Sequence, residues 1–266
     1  MGEVIVVTSG KGGVGKTTVT ANLGAGLAKA GKKTVIVDMD LGLRSLDVIV
    51  GHENFIIYNL IDVISKKCTL DQVLIKDETY ENLFLLPSSQ TKDPSCVSLD
   101  QVKELCETLK HEFDYVILDS PSGIGKGFQN ATTAADKAIL VVTPDIPSVR
   151  DADCVSGILA RGGLRDQFLI LNRNRADLAN EGKIMSLDDI QEILSMPLLG
   201  IIPEDEKVLT SSYQGNLVTE METSAGNAYS NICKRLLGED IPFPEYKTKK
   251  RMFSRISHFF RKSHGE

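Results

Sequence analysis

The chain has 266 residues, 42% of them apolar, and a net charge of −6, the balance of a globular protein large enough to build a core without disulfide support. The charge is unevenly laid out: residues 247–266 carry seven Lys and Arg against Glu266, or +6, which leaves −12 on residues 1–246 and argues against broad nucleic-acid binding by the main surface. Five scattered cysteines without a CxxC pair, and four histidines without ligand spacing, exclude a disulfide framework and a zinc site of standard spacing.

The N-terminal stretch MGEVIVVTSG (1–10) has no basic region, and its apolar run is far too short for a signal peptide or a membrane span. Val6 stands where a myristoylation motif needs Ser or Thr. The chain is therefore expected to start directly with structure, inside the cell.

Short β-branched runs then recur between breaker residues: VIVVT (4–8), TVIVD (34–38), LFLLP (83–87), YVILD (115–119), AILVV (138–142), FLILN (168–172) and LLGII (198–202). Continuous rather than alternating hydrophobicity predicts strands covered on both faces, as in a parallel sheet. Helical patterns separate them: Thr17–Ala30 with Gly31 as a stop, Leu99–Lys110 after Ser98, residues 187–196 behind a capping box of Ser186 and Asp189, and a last helix from Ser224 to Gly238. The alternation predicts a doubly wound α/β fold with a mostly parallel sheet of about seven or eight strands. No internal repeat is present. A domain over residues 1–238, a linker over 239–248 containing two prolines, and an appended helix over 249–263 is the economical division.

Between the first strand and first helix, Gly10-Lys11-Gly12-Gly13-Val14-Gly15-Lys16-Thr17 fits GxxxxGK[ST], the phosphate loop of nucleotide-binding proteins. Glycines there let backbone N–H groups turn toward phosphates, and the following helix N-terminus adds partial positive charge. Lys16 would reach the β and γ phosphates of ATP and the Thr17 hydroxyl would coordinate Mg²⁺. Asp119, ending YVILD, suits the metal shell. Asp38 and Asp40, ending TVIVDMD, lie at the same carboxyl edge of the sheet, one to hold Mg²⁺ water and one to orient the attacking water; each could equally cap its loop. Lys11 is unusual, because such a loop needs one lysine at its end and no second at its start. On the residues alone it could be a solvated loop lysine.

KGGVGKTT (11–18) closely resembles the deviant phosphate loop of the ParA/MinD family of ATPases. The likeness extends through DMDLGLRSLDVIVG (38–51), DSPSGI (119–124), PSVRDADCVSGIL (147–159), LLGIIPEDEKVL (198–209) and the basic amphipathic end, the pattern of the division-site branch of that family. The resemblance implies that Lys11 crosses an ATP-dependent homodimer to the partner's nucleotide, and that hydrolysis is slow and partner-stimulated. By position it places Gly12, Gly13, Val14, Gly15, Lys16, Thr17 and Thr18 on the phosphates, Asp40 in switch I, and Asp119-Ser120-Pro121 in switch II. It places Asn172 at adenine with Pro203 and Glu204 nearby, and Asp151 and Asp153 on a dimer or partner surface. It implies a division inhibitor, MinC, an activator such as MinE, and residence between the cytoplasm and the cytoplasmic face of the inner membrane. Two stretches depart from the family pattern: Gly125-Lys126-Gly127 where an acidic residue is common, and LNRNRADL (171–178) at a strand end.

The C-terminal segment carries its own message. Met252, Phe253, Ile256, Phe259 and Phe260 fall on one stripe of a helix whose other positions are basic, Ser or His, as in a helix lying in an anionic membrane surface. Each buried apolar side chain contributes roughly 1.5–3 kcal/mol and each basic residue about 1. Ordering opposes this by about 1–2 kcal/mol per residue. One tail should therefore bind weakly and two on one dimer far better. A solvated tail, a nucleic-acid tail and a helix docked on its own body are the other readings. A ParA-type partitioning ATPase needs a basic body surface, and an iron-protein-like carrier needs a cysteine that residues 119–136 lack. A relative controlling flagellar number usually has an extra motif before the first strand, for which Met1-Gly2-Glu3 is expected to leave no room.

Overall fold

The computed structural model describes residues 1–91 and 93–244; the tail residues Met252, Phe253, Ile256, Phe259 and Phe260, and the helix expected over 249–263, lie outside the described residues. In chain order the elements are β1 (Glu3–Thr8), α1 (Lys16–Lys29), β2 (Thr34–Asp38), α2 (Leu46–Ile49), α3 (Leu60–Ile64), α4 (Leu70–Val73), β3 (Ile75–Lys76), β4 (Leu83–Leu86), α5 (Leu99–Glu112) and β5 (Tyr115–Asp119). They continue with α6 (Lys126–Thr132), β6 (Lys137–Val142), α7 (Ile146–Arg161), β7 (Gln167–Asn174), α8 (Ala176–Asn180), α9 (Leu187–Leu194), β8 (Leu198–Pro203), α10 (Glu206–Tyr213) and α11 (Ser224–Leu236).

The eight strands form one sheet in the order β3-β4-β2-β5-β1-β6-β7-β8, parallel throughout except for the β3–β4 pair. The seven apolar runs are all strands; the eighth, β3, has two residues, too few for any pattern to reveal it. The continuous hydrophobicity has its cause in the two covered faces. Val4 and Val6 point into a core shared with Leu105, Leu109 and Phe128 from α5 and α6, while Ile5 and Val7 point into a second core with Val19 and Leu23 of α1 and Tyr229 and Ile232 of α11. Each such buried side chain contributes roughly 1.5–3 kcal/mol, so the sheet is gripped from both sides.

Capping sets the helix starts. Ser98 with Gln101 and Ser186 with Asp189 form reciprocal capping boxes, satisfying N–H groups that a helix start leaves unpaired. Sequential strands run outward from β1 in both directions, β2 to one side and β6 to the other. That reversal opens a crevice at the carboxyl ends of the central strands, where α/β proteins bind ligands. The glycine-rich loop leaves β1 at this point.

Candidate nucleotide site

Gly15 closes the loop from the N-cap position of α1 in a left-handed conformation, φ 98°, which a glycine adopts without the steric cost of a Cβ. A Cβ here would also meet the Asn172 amide at 2.4 Å. Asn172, two residues before the end of β7, donates that amide to the Val14 carbonyl at 2.7 Å, so its first task is to hold the phosphate loop against the neighbouring strand. α1 then presents its unpaired N-terminal N–H groups to the crevice, a ready anion site.

Lys16, Thr17 and three carboxylates converge below the loop. The Lys16 side chain is buried, and burial lowers its pKa against the opposing pull of Asp119 and Asp40. Asp38 and Asp119 are register partners on the paired strands β2 and β5, both fully buried. Burial, reinforced by the Asp38 charge, pushes Asp119 up to about 7, although the Thr17 and Thr20 hydroxyls and Lys16 favour its anion. Thr20 donates to Asp119 at 3.2 Å. Burial likewise raises Asp38 to about 6. Its oxygens accept the N–H groups of Asp40, Ser45 and Leu46 at 2.9, 3.0 and 3.2 Å, so Asp38 anchors the segment that follows β2 and acts on a cation through its charge. Asp40 is half-buried, its pKa raised by burial against the pull of Lys16.

This donor set fits Mg²⁺. Two adjacent buried carboxylates held part-way to protonation, beside a threonine hydroxyl, are relieved by a hard dication that takes oxygen ligands. Thr17 and Asp119 would hold the ion, with Asp38 behind them.

Lys11 sits apart from this cage. Its ammonium lies 3.0 Å from the Asp145 carboxylate, with both side chains about two-fifths exposed. Asp145 is the N-cap of α7, accepting from the Ser148 N–H at 3.0 Å, and receives the Thr143 hydroxyl at 2.6 Å. Burial works against its charge, but these hydrogen bonds and Lys11 outweigh it and hold the carboxyl below its ordinary range. α7 also lies against the loop itself: a Cβ on Gly10 would come within 2.5 Å of the Asp151 backbone. Asp151 and Asp153 are half-buried on this helix. Lys126 of the Gly125-Lys126-Gly127 stretch opens α6 with its ammonium 3.5 Å from the Ser95 carbonyl.

On the other side of the loop, Gly15, Thr18, Asn172, Pro203 and Glu204 line one cleft of about 540 Å³, within the range of small-molecule sites. Val208 and Leu209 of α10 add an apolar wall, and Arg175 also lines the cleft, paired with Asp177 at 2.9 Å and Glu204 at 3.5 Å. The sequence reading missed Thr20, Thr143, Asp145, Arg175 and the α10 wall. Thr20 was within reach of pattern, three residues after Thr17 on one helix face. Asp145 carried a helix-start signal, an acidic cap before a proline and a serine. Arg175 and α10 carried none, because their relation to the loop exists only in the fold.

Known proteins resemble this chain in sequence and in fold. A family model described as an AAA domain matches residues 2–153. The septum site-determining protein MinD of Bacillus subtilis is 46% identical over 264 residues, 98% of each chain. Among solved structures, the MinC:MinD cell division protein complex of Aquifex aeolicus contains a chain of 41% identity and TM-score 0.86, covering 92% of this chain and 99% of that one. MinD of Pyrococcus horikoshii, solved with Mg-ADP, is 28% identical with TM-score 0.79, covering 89% and 96%.

Proposed function

The chain belongs to the MinD family of septum site-determining proteins, and from that premise we propose an ATPase that dimerises with ATP, binds the inner membrane surface and recruits a division inhibitor there. The observation that carries this reading is the separation of two lysines in one loop. Lys16 is buried among Asp119 and Asp40, where it serves the nucleotide of its own chain. Lys11 is half-exposed and turned outward onto Asp145, free to exchange that partner for a phosphate on a second subunit, in the manner of a trans cation.

In the proposed mechanism, the loop N–H groups and Lys16 grip the phosphates, and Asn172 keeps the loop in shape. Thr17 and Asp119 would hold Mg²⁺, which would supply positive charge against the phosphates. Asp38 adds charge and anchors the 40–46 segment, and Asp40 orients the attacking water. Pro203, Glu204 and the α10 wall take the base. The partner is a MinC-like inhibitor, as in the Aquifex aeolicus complex, with an activator of the MinE kind to speed hydrolysis. No helix among the described residues is long and apolar enough to cross a membrane. The proposed attachment is the stripe of Met252, Phe253, Ile256, Phe259 and Phe260, which the sequence pattern puts on a helix over 249–263 joined by the 239–248 linker.

Co-sedimentation with anionic vesicles under ATP, ADP and no nucleotide tests this. Mg-ATP should recruit the protein, and Phe259→Glu should abolish recruitment while nucleotide binding persists. Equal sedimentation in ATP and ADP would sink the coupling between nucleotide and membrane.

A further inference from the structure

A second cavity, of about 400 Å³, lies outside the nucleotide site, where three segments distant in sequence meet: 50–55, 77–80 and 214–221. Its floor is a backbone crossing. Gly51 and Gly215 are both left-handed, at φ 75° and 69°, and a Cβ on Gly215 would stand 2.8 Å from the Gly51 Cα.

The walls are acidic and aromatic. His52 and Asp77, both buried, pair at 2.9 Å, and Asp77 also accepts the N–H groups of Thr79 and Tyr80 at 2.8 and 2.7 Å. That leaves the Asp77 oxygens satisfied. The Phe55 ring, 56% exposed, stands edge-on to His52 at 5.8 Å between centroids, so the buried His52–Asp77 contact also fixes an exposed aromatic face. Glu78 and Glu220 lie on the rim without a basic partner among the described residues. Tyr80 is more than nine-tenths buried. Its hydroxyl has no hydrogen-bond partner among the described residues and feels the charges of Glu220 and Asp77, which line the same cavity. The hydroxyl oxygen is not sealed from solvent. This cleft therefore holds an unspent polar group, unpaired carboxylates and an aromatic face, and among the described residues no lysine or arginine lines it.

We propose that this cleft is a binding site for a guanidinium group. A planar cation of that kind stacks on an aromatic ring while its edge donates to carboxylate and hydroxyl oxygens. The Phe55 face, the Glu220 and Glu78 carboxylates and the Tyr80 hydroxyl supply those partners together. Occupancy would tie Gly51, just beyond α2, whose start Asp38 holds, to Gly215, just beyond α10 of the base cleft. The site thus touches both segments that border the nucleotide.

The test is calorimetric titration of the full nucleotide-free chain with agmatine, and separately with an acetylated Gly-Arg-Gly amide. Saturable binding is expected. Glu220→Gln should weaken it about fivefold or more, through loss of a charge-assisted bond, and Tyr80→Phe about two- to threefold. Glu107→Gln, an acid on α5, should change nothing. Tighter binding of the tripeptide identifies a protein-borne arginine as the source, and tighter binding of agmatine a free amine. Absent or non-saturable binding overturns the proposal, as does an equal response of Glu220→Gln and Glu107→Gln, which would mark diffuse charge attraction. Because no nucleotide is present, failure here is distinct from failure of the ATPase reading.

Discussion

The inner and outer ends of the phosphate loop each hold a lysine and carboxylates, and they are built in opposite ways. At the inner end Lys16 is 8% exposed and its neighbours Asp38 and Asp119 are raised to about 6 and about 7. At the outer end Lys11 is 41% exposed and its partner Asp145 is held low. The inner cage is electrostatically incomplete and improves when phosphate and a dication arrive. The outer pair is already satisfied, so moving Lys11 requires only that one surface contact be exchanged for another. Charge in the first place stores a demand for ligand, and in the second it sets a cheap switch.

The sharpest way to break the contrast is Lys16→Ala. It removes the ammonium that faces both Asp119 and Asp40 and leaves those carboxylates repelling the phosphates. Nucleotide affinity should fall at least about a hundredfold, on the scale of a lost buried charge-assisted contact, as read by fluorescent-nucleotide titration. If it falls less than about threefold, Lys16 is not the phosphate lysine.

Asp119→Asn should separate ligand demand from stability. Mg²⁺-dependent affinity should drop about 10–100-fold, because an amide is a far poorer ligand for a hard cation. The nucleotide-free protein should become more stable, by roughly 1–3 kcal/mol near pH 8, measured by denaturant titration. The sign follows from the raised pKa. Between the ordinary aspartate value and about 7 the folded protein holds the proton more tightly than the unfolded chain. Stability from this group is therefore present at low pH, lost as pH climbs through about 7 and flat above. Asp38 adds the same trend through about 6. In the native protein, Mg-nucleotide affinity should rise from pH 5.5 to 8 with proton release, visible as buffer-dependent heat; a buffer-independent heat would contradict the raised values.

The two ends also differed in how far the sequence disclosed them. Lys16, Thr17 and Asp119 were legible because one motif and one strand end encode them locally, and the seven longer strands were legible because both of their faces are buried. Residues 41–82 were opaque. α2, α3 and α4 have four or five residues each, below the length at which helical periodicity can be read. They exist through tertiary ties, such as the hold of Asp38 on Ser45 and Leu46. Lys11 stood out in the sequence as surplus, but its partner 134 residues away could come only from the fold, as could the second task of Asn172 on the loop carbonyl.

The smallest expected effect tests the outer end most directly. Asp145→Asn keeps a good N-cap for α7, since asparagine caps as well as aspartate, and removes only the charge that holds Lys11. An exposed ion pair contributes about 0.2–1 kcal/mol, which corresponds to a factor of roughly 1.4–5 in an equilibrium. If the contact with Asp145 holds Lys11 back, the ATP-dependent dimer should tighten by a factor in that range, read by sedimentation velocity across a concentration series, while ADP and ATP affinities of the monomer stay unchanged. The tightening should shrink at high salt, where the parent ion pair is already screened. If instead the dimer weakens, Asp145 steers Lys11 toward the second subunit and belongs to the assembled state. Lys11→Ala in the same background decides between them, because the Asp145→Asn effect must vanish once there is no ammonium to hold or to steer.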